Sequence, residues 1–72
     1  MKGFIIQIDT DSWLNWQGLV TYDLKNSVLF STEADAIIVR DSLCSTGAVL
    51  PHERNDAGYA QLGTYFELHR NT

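Results

Sequence analysis

The chain has one cysteine, Cys44, so no internal disulfide staples it and no multi-cysteine zinc site forms. Basic residues are few. Lys2, Lys25, Arg40, Arg54 and Arg70 are scattered among nine acidic ones, giving a net charge of −4. Sequence-independent nucleic-acid binding needs clustered Lys and Arg to displace counterions, so direct nucleic-acid contact is not expected. Long apolar runs are missing as well. The run after Lys2 is short and broken by Gln7 and Asp9, which suits neither a signal peptide nor the ~20 residues of a membrane span. With the free cysteine, this gives the expectation of a cytoplasmic protein without membrane contact.

Motifs for catalysis or metal binding are also scarce. His52-Glu53 begins like His-Glu-x-x-His, but residue 56 is Asp. Cys44 with His52 or His69 would supply a nucleophile and a base, yet no third orienting group is legible. Cys44 falls on an apolar helix side, where a free cysteine acts as a small hydrophobe. Asp9 and Asp11 are a carboxylate pair at a strand end, without the Asp-x-Asp-x-Asp-Gly continuation of a calcium loop. Turn formation is their simpler role. Gly58 and Gly63 have no Lys-Ser/Thr after them and form no phosphate cradle. The expectation is a protein that is not an enzyme and uses no cofactor and no metal.

What is present is 44% hydrophobic residues in a length suited to one domain, residues 1–72. A core this small supplies about 3–5 kcal/mol of net stability, so a partner or a second copy is an expected aid. Gly3–Asp9 alternates, with Phe4, Ile6 and Ile8 on one face, as in a strand buried on one side. Thr10–Gly18 reads as a loop or wide turn carrying Trp13 and Trp16. Leu19–Asp23 reads as a second extended segment, Leu24–Ser27 as a turn, and Val28–Phe30 as a short strand. Thr32 is positioned as the N-cap of a helix running to about Ser45, with Glu33 and Asp35 at the positive end of its dipole and Gly47 as its stop.

At about 100° per residue that helix has two apolar sides. Ala34, Ile37, Ile38 and Cys44 form one; Ala36, Val39 and Leu43 form the other. The sheet covers one side, and the second is covered either by the domain itself or by another chain. Ala48–Leu50 is a further strand, ended by Pro51. His52–Gly58 reads as a surface loop, and Tyr59–Gly63 as either turn or strand. Thr64–His69 alternates and reads as a last strand beside the first, with Phe66 inward and Tyr65 outward. The fold class is therefore α+β: an antiparallel sheet of three to four strands with one helix packed on one face.

Aromatic placement stands above this background. Trp13, Trp16, Tyr22, Tyr59 and Tyr65 fall in loops or on outward positions, while Phe4, Phe30 and Phe66 fall inward. Trp and Tyr are enriched at binding hot spots. The competing reading makes the tryptophans lids on a small core. Being three apart, Trp13 and Trp16 would face one side together in a turn. Asp9, Asp11 and Asp23, with Tyr22, would ring them, giving an acidic aromatic surface for a partner protein with a basic surface.

The order Ile-Ile-Gln-Ile, then Gly-Leu-Val-Thr-Tyr-Asp-Leu-Lys-Asn-Ser-Val-Leu-Phe-Ser-Thr-Glu-Ala-Asp-Ala, resembles small phage-encoded accessory proteins built as a ββαβ unit. Ser27 stands where that pattern has Ala. In size and acidity the chain is similar to anti-CRISPR inhibitors, which bind a host defence complex and block nucleic-acid access or nuclease recruitment. The resemblance implies a non-catalytic inhibitor of a CRISPR effector complex in the host cytoplasm. The alternative is a self-associating structural or adaptor protein, a homo-oligomer, with no inhibitory role.

Overall fold

The computed structural model describes residues 1–43, 46–55 and 58–69, with the backbone alone for 68 and 69. Strands β1 (Lys2–Asp9), β2 (Ser12–Leu14), β3 (Val20–Thr21) and β4 (Ala48–Glu53) form an antiparallel sheet in the order β3-β2-β1-β4. Helices α1 (Glu33–Leu43) and α2 (Leu62–His69) complete the α+β fold. Ile6 and Leu14 from the sheet, Ala36 and Val39 from α1, and Tyr65 from α2 meet in one core with Val28 and Phe30. Phe4, Ile8, Val49 and Phe66 pack around it.

The alternation of β1 holds as read. Phe4, Ile6 and Ile8 face the helices, while Ile5 is buried on the opposite face. Val28–Phe30 is not a ladder strand. It touches the sheet through isolated bridges, Phe4 with Phe30 and Asn15 with Ser27, and is fully buried. Phe4 N–H donates to the Phe30 carbonyl (2.8 Å), and Phe30 N–H returns the bond to Phe4 (2.9 Å). That exchange brings Leu29 against Gly3 and leaves no room there. A Cβ there would lie 2.5 Å from the Phe30 carbonyl oxygen and 2.9 Å from Leu29 Cγ.

Thr32 does cap α1: its Oγ1 accepts from Asp35 N–H at 3.2 Å. Ala36 and Val39 are buried and Leu43 packs beside them, so this side is the inner one. On the second apolar side Ala34 is exposed and Ile38 is 44% exposed, while Ile37 is half-buried. Cys44 and Ser45, where the helix was expected to end, lie outside the described residues, as do Asp56 and Ala57 of the expected loop. Left-handed backbone occurs at Gly18, φ 77°; Gly47 is a buried residue leading into β4.

Three expectations are corrected. Pro51 does not end its strand, because β4 runs on to Glu53 and takes in His52 and Glu53 from the expected loop. The reason lies in the ladder. Phe4 spends both backbone groups on Phe30, so the facing Phe4–Pro51 pair is unbonded and the proline nitrogen points off the sheet edge. Second, Thr64–His69 is not a strand but most of α2, and β4 is the neighbour of β1. Leu62, Tyr65 and Phe66 stand at helical spacing and pack together on the core, which outweighs the two-residue alternation. Third, Tyr65 is therefore inward. It is buried edge-on against Phe30 (centroids 5.5 Å apart, planes at 80°), and its hydroxyl donates to the Asn15 carbonyl at 2.8 Å. Tyr59 is tied down as well, its hydroxyl donating to the Lys2 carbonyl.

Candidate functional site

The segment expected to be a loop, Thr10–Gly18, contains β2, so Trp13 is a strand residue. It stands between Gln7 of β1 and Thr21 of β3. Leu14 faces the core, so strand alternation turns Trp13 to the opposite face, where it is half-buried. Trp16 instead packs against the core and lines a small pocket of about 150 Å³ with Tyr59, Ala60 and Tyr65. The two tryptophans thus do not form one patch. Trp16 is a core lid, and Trp13 sits on the outer face of the sheet.

Asn15 shapes the connection that follows. Its Oδ1 accepts from Gln17 and Leu19 N–H, each at 2.9 Å, and its own N–H donates to the Leu19 carbonyl at 2.8 Å. This side chain closes the turn locally, as Asn does in Asx turns, and Gly18 supplies the positive φ. The chain then runs out as β3 at the free edge. Leu19 is 65% exposed, Val20 47% and Tyr22 77%. Such a run of apolar side chains on a domain this small is the kind of surface that marks an interaction site.

The carboxylates collect at one end of this edge. Asp9 pairs with Ser12 across the β1–β2 turn, and Asp11 lies in that turn. Asp23 follows β3 by two residues at the same end of the antiparallel pair, and caps a 3₁₀ turn at Leu24–Asn26 by accepting from Lys25 N–H. All three are exposed. The structure therefore brings Asp9, Asp11, Trp13, Tyr22 and Asp23 to one region and leaves Trp16 out. Leu19 and Val20 join it. Their signal was an apolar pair directly after a Gly turn, a common start for a hairpin's second strand.

A second concavity, an open groove of about 500 Å³, lies at the other end of the sheet, floored by Phe4 and Pro51 and flanked by Lys2, His52 and Glu53. Burial first, and the Arg54 charge second, lower the His52 pKa below its ordinary 6.5. Among the described residues no three His, Cys, Asp or Glu side chains are grouped to hold a metal ion. No helix there is long and apolar enough to cross a membrane. No protein-family model, curated protein or solved structure matches the chain.

Proposed function

We propose that this chain is a non-catalytic protein-binding domain that docks through the β2–β3 end of its sheet. The observation that supports this reading is the exposed edge segment carrying Leu19, Val20 and Tyr22, next to the strand that carries Trp13 on its outer face, with Asp9, Asp11 and Asp23 at its end. Aromatic and aliphatic anchors supply affinity at an interface centre, while rim carboxylates steer a basic surface into place. In its finer form the domain is an inhibitor that occupies a basic surface of a CRISPR-type nucleoprotein complex. That form rests on the sequence resemblance.

The test is a binding and cleavage assay with purified effector complexes, run with the wild-type chain, Trp13→Ala and Tyr22→Ala. Inhibition that drops at least tenfold in either variant, with unchanged melting, supports the proposal. If no effector is inhibited, the finer form is lost. If a bound partner ignores both substitutions, the surface is lost too. A self-associating adaptor is the second reading, favoured by the uncovered Ile38 and Ala34 of α1. Light scattering decides it: a monomer at micromolar concentration removes that reading, and a dimer abolished by Ile38→Glu establishes it.

A further inference from the structure

We infer that β3 receives an extended, basic segment of the partner as a fifth strand of the sheet. This deepens the protein-binding reading and rests on it. The ladder carries the argument. Asn15 N–H bonds the Leu19 carbonyl, and antiparallel pairs alternate between bonded and unbonded. Thr21, facing Trp13, is then in the next bonded pair, and Val20, facing Leu14, is in the unbonded one. The Val20 N–H and C=O consequently point away from the sheet, into solvent. No proline or charge on Val20 or Thr21 blunts this edge; the protection it does carry is its shortness, two residues, which limits the added strand to a short pairing. An added strand pairs with such groups and lays alternate side chains on the two sheet faces. On one face it meets Val20, on the other Thr21 and the neighbouring Trp13.

Charge selects the occupant. Asp9, Asp11 and Asp23 mark the end of the edge, with Lys25 the cation nearest in sequence. A Lys- or Arg-bearing strand complements them. A second copy of the chain does not. Paired antiparallel, it would set against these carboxylates its Asn15–Leu19 turn, which has no basic residue, and each copy carries a net charge of −4. Paired parallel, it would set carboxylate against carboxylate.

Amide exchange and chemical-shift titration of the full chain test this with three end-blocked peptides. One alternates lysine and valine, one alternates glutamate and valine, and one is the basic peptide with N-methylated backbone amides. The basic peptide should protect the Val20 amide. The acidic and N-methylated peptides should bind at least tenfold more weakly. Val20→Pro should abolish binding of the basic peptide, since it deletes the outward donor without touching a ladder bond. Should that variant melt early, the N-methylated peptide carries the test alone. Equal binding of basic and N-methylated peptides overturns strand addition, as does binding by none of the three. Val20 protection in a peptide-free dimer overturns it in favour of a second copy. The protein-binding reading fails separately, when Trp13→Ala and Tyr22→Ala leave the affinity for the full partner unchanged.

Discussion

The two edges of the sheet are built to opposite ends. β4 pairs with β1 through six facing pairs, from Lys2–Glu53 to Gln7–Ala48. Its proline nitrogen points outward, which removes a donor from that rim. Past Glu53 the pairing is sealed by reciprocal backbone bonds between Met1 and Arg54 (2.8 and 2.9 Å). The Arg54 guanidinium then reaches the Ser27 carbonyl (2.7 Å), Ser27 Oγ (2.5 Å) and the Leu24 carbonyl (3.2 Å). β3 has two paired residues, exposed apolar neighbours and no such clamp. The difference teaches where this small domain keeps its stability and where it has surface to spare. The well-paired edge is held firmly to β1 and loses one outward donor to Pro51, whereas the lightly paired edge is anchored by two residues alone.

The largest expected effect breaks the sealed side. Gly3→Ala drives a Cβ into the Phe30 carbonyl oxygen, which is backbone and cannot rotate away. Overpacking of this kind costs about 1–3 kcal/mol. Each kcal/mol lowers the melting temperature by about 4–8 °C in a domain of this size. Denaturant melts should show the loss; an unchanged midpoint would mean that β1 and Val28–Phe30 separate easily.

Next comes the clamp. Arg54→Met keeps the apolar stem and deletes the guanidinium bonds, stranding the buried Ser27 hydroxyl on one side. A loss of about 2 kcal/mol is expected, in the range for hydrogen bonds to a charged donor. Amide exchange should accelerate at Lys2–Phe4 and β4 before it does at β3. Acceleration at β3 first would reverse the assignment of the two edges.

Acidity gives a smaller contrast. Because burial, and then Arg54, depress the His52 pKa in the folded chain, the unfolded chain takes up the proton more readily. Stability is therefore full above pH 6.5 and declines as the pH falls from there toward the lowered value. His52→Gln should flatten that decline, measured as melting temperature against pH. A slope that survives the substitution assigns it to other groups.

The smallest effect sharpens the open side. Val20→Thr keeps a β-branched residue on an exposed edge, so stability should stay within about 0.5 kcal/mol of wild type. Calorimetry that finds a larger loss would show Val20 to be structural rather than surface to spare.

Much of this fold was legible because local rules and burial agreed. β1 showed its period of two, and Thr32 with Glu33 and Asp35 announced the start of α1. The misreadings fall where local pattern was equivocal. Thr64–His69 offers β-formers in alternation, yet Leu62, Tyr65 and Phe66 also share a helical stripe. Six residues cannot separate the two periods; the core contact with Phe30 does. Pro51 looked terminal because a lost N–H matters only when that N–H points inward, and strand pairing decides its direction. The site was legible in composition but not in grouping. Trp13, Tyr22 and the three aspartates stood out, while the separation of Trp13 from Trp16 depends on which residues of Thr10–Gly18 pair with β1.

By itself, the sequence determined the inward face of β1, the capped α1, the acidic charge and the shortage of cysteine and basic residues. These follow from periodicity, hydrogen-bonding side chains and composition, which act over a few residues or over the whole chain. The tertiary structure alone decided that the C-terminal segment coils onto the core, that Pro51 blunts one edge, and that Val20 turns its peptide groups outward at the other. Each depends on which distant segment lies alongside. A backbone donor has no inside or outside until a second strand takes its place beside it.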